Sequence, residues 1–109
     1  MTTVYKVLGQ QAPAANTATN LYTVPGANSA ICSSITICNG SGANANVSVQ
    51  IAVANAASSQ SQYIVNNNTL VNGDTLFMTL GVTLAATDTV RVTATGANVA
   101  FQLFGSEIY

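Results

Sequence analysis

Apolar residues return at every second position along almost the whole chain, the spacing of a strand with one buried face. TVYKVL (Thr3 to Leu8) predicts a first strand and NLYTV a second, with Pro25-Gly26 as the turn that follows. AICSSITIC predicts a third strand, with Ile31, Ser33, Ile35 and Ile37 on one face and Cys32, Ser34, Thr36 and Cys38 on the other. In VSVQIAV the residues Val47, Val49, Ile51 and Val53 are expected to point inward, and Ser48, Gln50 and Ala52 outward. QYIV, TLFMTLGVTL, DTVRVTA and NVAFQLFG complete the set, with Gly81 expected to bend or divide the longest segment. ANAASSQSQ has no apolar stripe at helical spacing and reads as a loop. The expectation is an all-β chain: one antiparallel β-sandwich or jelly-roll-like domain of about eight short strands, spanning residues 1–109.

Two stretches at the margins fit this pattern less well. GQQAPAANTATN, broken by Pro13, predicts a flexible arm at about 9–19. Beyond Gly105 a short tail, 105–109, carries apolar residues past the last expected strand. Phe104, Ile108 and Tyr109 fall opposite the inward row of Val99, Phe101 and Leu103, or beyond it. Such a tail needs a groove on its own domain or on a neighbour, and these three residues are the candidate assembly contacts.

One segment repeats itself. Leu70 is followed by Asp74, Thr75 and Leu76, and fourteen positions on (84 − 70 = 14) Leu84 is followed by Asp88, Thr89 and Val90. The structural reading is an Asx-turn used twice, each Asp bonding its own backbone ahead of a strand. The chemical reading is a pair of carboxylates for glycoside hydrolysis, sugar binding or a metal. That use requires both acids in one groove, with aromatic and polar support, in a chain that has no Trp and no His.

Composition narrows the function classes. Charged residues are 5% of the chain and the net charge is −1, where soluble proteins carry about a quarter charged residues. Two cations, Lys6 and Arg91, are too few to neutralise a nucleic-acid backbone, so no nucleic-acid partner is expected. No stretch is long and apolar enough for a membrane span, and MTTVYK leads into no apolar leader core, so neither membrane insertion nor secretion by that route is expected. Without His, no Ser or Thr has an evident base, and two Cys cannot complete a zinc site; no catalytic residue, cofactor or metal is expected. Cys32 and Cys38, six residues apart on a single strand, would lie about 20 Å apart, too far for a disulfide and suited to burial as small apolar groups. Gly40-Ser41-Gly42 lacks the Lys and spacing of a phosphate loop, and the Asn-X-Ser/Thr matches at Asn39, Asn46 and Asn67 follow from composition. A neutral, strand-rich surface instead suits assembly with other subunits.

Three stretches carry a resemblance. VLGQQAPAANTATNLYTVPGANSAICSSITICN, LAATDTVRVTA and FQLFGSEIY resemble small structural proteins of tailed bacteriophage particles, including phages of aquatic bacteria and cyanobacteria. The shared features are the LYTVP segment (Leu21 to Pro25), Cys38-Asn39, the LAATD turn (Leu84 to Asp88) and the LFGSEI end (Leu103 to Ile108). The relatives often carry Arg or Lys near the first hairpin, where this chain has Gly40-Ser41-Gly42. The resemblance implies a β-sandwich virion component, a capsid cement or decoration protein bound between subunits of the major capsid protein and to copies of itself, assembled in the bacterial host cytoplasm. A tail baseplate or fibre module is the alternative it allows. A carbohydrate-binding sandwich built on Asp74 and Asp88 is the reading from a different class.

Overall fold

The computed structural model describes all of residues 1–109. Eight strands form, β1 (Thr3–Gln11), β2 (Thr19–Thr23), β3 (Ser29–Asn39), β4 (Ala45–Ala52), β5 (Tyr63–Leu70), β6 (Thr75–Leu84), β7 (Thr89–Ala94) and β8 (Val99–Ile108). Only two single turns of 3-10 helix interrupt them, at Val53–Asn55 and Gln60–Gln62, the first starting one residue before the segment expected to be a loop and the second inside it.

The strands make two four-stranded antiparallel sheets, sheet I in the order β1-β8-β3-β6 and sheet II in the order β2-β7-β4-β5. Successive strands therefore cross from one sheet to the other at most steps, and the two sheets interleave the first and last strands of the chain. This is the order of a jelly roll, two Greek keys rolled into one sandwich. The core between the sheets holds Ile35, Ile37, Val47, Val49, Val92, Phe101 and Leu103, all fully buried, and the packing follows from alternation over Ala45 to Val49 of β4, Val90 to Ala94 of β7 and Val99 to Phe104 of β8.

Alternation fails at one level of sheet I, and it fails in several strands together. Against β8, β1 carries an extra residue at Leu8 and β3 an extra residue at Ser33; against β3, β6 carries one near Gly81. A line of bulges thus crosses the sheet and bends it. Gly81 does mark the bend expected of it. At the same level Gly105 of β8 lies so close to β3 that an added Cβ would stand 2.0 Å from the Ile31 carbonyl oxygen; no other residue fits there.

The bulge at Ser33 overturns the expected facing of β3. Cys32, Ile35 and Ile37 are buried, whereas Ile31 is turned outward and Cys38 is exposed. A bulge inserts one residue, so every side chain before it changes face. The two thiols consequently lie on opposite faces and not on one. Burial pushes the Cys32 thiol up to about 11, which leaves it unreactive. In β4 the expected row holds for Val47, Val49 and Ile51 but ends there: Val53 has left the sheet for a 3-10 turn and is 66% exposed.

The margins are also more regular than expected. Residues 9–11 of the expected arm belong to β1, and the Asn16 amide donates to the Ala94 carbonyl at 2.7 Å. Residues 105–108 of the expected tail are the second half of β8, hydrogen-bonded between β1 and β3. The groove they occupy is in their own domain.

Candidate assembly face

The two Asp turns are alike in backbone and unlike in side chain. The Asp74 amide donates to Val71 and the Asp88 amide to Ala85, and the third residue of each turn, Gly73 or Thr87, has positive φ. Each turn then clasps the end of another strand: Gly73 and Asp74 exchange bonds with Asn39, and Thr87 and Asp88 exchange them with Val24. The Asp88 carboxylate accepts from the Ala54 amide at 2.9 Å and the Ala85 amide at 3.0 Å, so it bonds backward in sequence and across to the 53–55 turn, not two residues ahead as expected. The Asp74 side chain is exposed and is in no hydrogen bond. The turns stand at opposite ends of the ten-residue β6, about 30 Å apart at roughly 3.3 Å per residue. Two carboxylates so placed cannot flank one glycosidic bond or hold one ion.

The residue that organises this end of the molecule is Asn39, fully buried. Its Nδ2 donates to the carbonyls of Ala43 and Leu70, both at 2.9 Å, and its Oδ1 accepts from the amide and hydroxyl of Ser41. It thereby shapes the Gly40-Ser41-Gly42 connection, and with every polar valence used it is closed to glycosylation. Sequence reasoning named Asn39 only as an Asn-X-Ser match and in the Cys38-Asn39 pair at a strand end, and did not read it as a buried organiser.

Both cations are engaged within the chain. Arg91 donates to Asn20, Ala56, Ser58 and Asn55, fastening the loop after β4 onto the outer face of sheet II. Lys6 Nζ lies 3.0 Å from Glu107 Oε1, and the Tyr22 hydroxyl donates to Glu107 Oε2 at 2.5 Å. The Tyr22 hydroxyl and then Lys6 hold the Glu107 carboxyl below the usual carboxylate range, while burial and the neighbouring carboxylate push the Tyr22 phenol up. Glu107 is thus a strut between the sheets, since Tyr22 comes from sheet II and Glu107 from sheet I.

Opposite the Arg91 face lies an exposed apolar surface on sheet I. Three rows of outward residues cross β1, β8 and β3: Thr3, Ile108 and Ser29; Tyr5, Ser106 and Ile31; Val7, Phe104 and Ser34. Tyr5 is 84% exposed, and Val7 and Ile31 are also exposed. Beside the bend, these rows enclose a shallow groove of about 670 Å³ with Phe104 and Ile108 in its floor. Two of the three candidate contacts read from the sequence, Phe104 and Ile108, therefore meet here, both half-buried; Tyr109 is exposed at the end of β8, its backbone exchanging hydrogen bonds with Thr2. Tyr5, Val7 and Ile31, which were not among those candidates, line the same groove. For Ile31 the available signal was the consecutive Ser33-Ser34, which interrupts the apolar alternation where the bulge forms.

No family model matches the chain, and no curated protein matches it. Among solved structures it is similar to a chain of the T13 particle of infectious bursal disease virus, with TM-score 0.50 and 9% identity over 96% of this chain and 30% of that one. A chain of the Gx strain of the same virus gives TM-score 0.49 and 9% identity over 97% of this chain and 30% of that one. A pentameric capsid protein isolated from metagenomic phage sequences gives TM-score 0.38 and 19% identity over 96% of this chain and 59% of that one. The chain spans about a third of the length of the first two. What is shared with the chain of the T13 particle, at 9% identity, is the β fold.

Proposed function

We propose that this chain is a structural component of a virus particle, a cement or decoration protein that binds between subunits of a phage capsid. The observation that carries the reading is the exposed apolar face of sheet I, on a jelly roll whose own loops leave that face bare. The fold is in keeping with it, because jelly rolls recur in viral shells, and so is the resemblance to small tailed-phage structural proteins in the LYTVP, LAATD and LFGSEI segments. Both cations being spent on internal partners removes the usual means of holding nucleic acid.

On this reading Phe104 and Ile108, with Tyr5, Val7 and Ile31 beside them, seat against the major capsid protein, and Tyr109 extends the contact at the end of β8. Each such contact buries a modest apolar area and holds weakly, and icosahedral repetition makes the sum strong. Assembly belongs to the host cytoplasm, where the exposed Cys38 thiol stays reduced. Mass spectrometry of purified particles tests the role by copy number: hundreds per particle are expected for a head cement, by the symmetry argument, whereas a few to tens would place the protein in the tail baseplate or fibre. Absence from particles overturns the reading. In particles that do contain it, Tyr5→Ser together with Phe104→Ser should reduce incorporation at least about tenfold, the cost of losing two anchors from one interface.

A further inference from the structure

The four edges of the sandwich are not equivalent. β2 is five residues long and its pairing breaks between Asn20 and Tyr22. β5 breaks register twice against β4 and contains Asn67 at φ 53. β1 carries Lys6 and the bulge at Leu8. Short length, irregularity and charge are the devices by which natural sheets protect an edge. β6 has none of them over Thr75–Thr79, which pairs with β3 without interruption and holds no charge, Gly or Pro.

This edge is also chemically unfinished. β6 pairs with β3 alone, and no backbone or side-chain hydrogen bond outside the sheet reaches any of its residues. Its inward row of Leu76, Met78, Leu80 and Val82 packs on the core yet stays only partly buried, and its outward Phe77 is 65% exposed. A row of free amides and carbonyls flanked by half-covered apolar side chains is complementary to one kind of object, another strand.

We infer that this strand is β6 of a second copy of the chain, paired antiparallel about a two-fold axis through Phe77, so that two sheets I become one continuous eight-stranded sheet. The segment is close to a palindrome: Thr75-Leu76-Phe77-Met78-Thr79 reads almost the same from either end. Antiparallel pairing about Phe77 sets Phe77 against its own copy, Thr75 against Thr79 on the outer face, and Leu76 against Met78 on the inner one. Aromatic, Thr–Thr and apolar partners directly opposite are the combinations that stabilise antiparallel pairs. An isologous interface needs self-complementarity of this kind. The pairing is a property of the purified chain and does not rest on a role in a viral shell.

The register makes the test specific. Sedimentation equilibrium of the purified full chain should show a monomer–dimer equilibrium. Thr75→Lys with Thr79→Lys sets like charges opposite each other twice across the axis and should raise the dissociation constant about tenfold or more. Thr75→Glu with Thr79→Lys sets opposite charges at the same two places and should keep or strengthen the dimer. Both positions are exposed, so circular dichroism should show the fold unchanged. A wild-type chain that stays monomeric, or a dimer that responds equally to both double variants, overturns the pairing. Occurrence of a monomeric chain in particles would leave the shell reading intact while removing this one.

Discussion

The outer faces of the two sheets differ in what they leave unfinished. On sheet II, Gln50 lies in the middle of β4 and points outward, yet it is 3% exposed because the loop after β4 folds back over it. Arg91 holds that loop through three hydrogen bonds, to Asn55, Ala56 and Ser58, and Ser58 and Gln62 close over Gln50. On sheet I no loop returns, and the aromatic ring of Tyr5 stands 84% exposed above Phe104 and Ile108. The face that could be satisfied by polar groups of the same chain is satisfied by them. The face made of aromatic and branched residues has no such partner within the domain, and exposed apolar residues grouped in this way are the kind of surface that contact sites use.

Three changes would break or sharpen this contrast. The largest effect is expected at Gly105, which lets β8 approach β3 under the apolar groove. Gly105→Val puts a side chain into the Ile31 carbonyl and should destabilise the fold by about 3 kcal/mol or more, read from the midpoint of urea unfolding. Next is Arg91→Ala, which releases the loop on the polar face; a loss of about 1–2 kcal/mol is expected, with faster proteolysis confined to residues 53–62. An unchanged cleavage pattern would mean that the loop holds itself. The smallest effect is on pH dependence. The Glu107 carboxyl titrates below its unfolded value, so its contribution is complete above about pH 4.5 and disappears as pH falls through the folded value. Melting temperature should therefore drop on acidification, and Glu107→Gln should flatten that part of the profile. The same strut anchors the β1–β8 end beneath Tyr5, so acid should loosen the apolar face before the polar one, as hydrogen exchange would show.

Candidate-site residues were legible where they sat in unbroken alternation. Phe104 follows Val99, Phe101 and Leu103 by opposite parity, so its outward position could be read directly. Ile31 was harder to place: Ser33-Ser34 signals an interruption, but its face depends on Ser33 being inserted against β8, a fact about a strand seventy residues away in the pairing Ser34↔Phe104 (104 − 34 = 70). The echo at Asp74 and Asp88 was likewise legible as a repeated turn, while the division of labour between them was not. Asp88 finds Ala54 only because the 53–55 turn is folded against it.

Period-two patterning, turn residues and the scarcity of charge determined by themselves that this chain forms eight strands around an apolar core with a nearly neutral surface, because each of those properties acts over a few neighbouring residues. The tertiary structure alone decided which strands adjoin, where the bulges fall, that the last residues lie inside a sheet, and that β6 ends it with an open edge. Those outcomes depend on register between segments far apart in sequence, and a shift of one residue there exchanges the inner and outer faces.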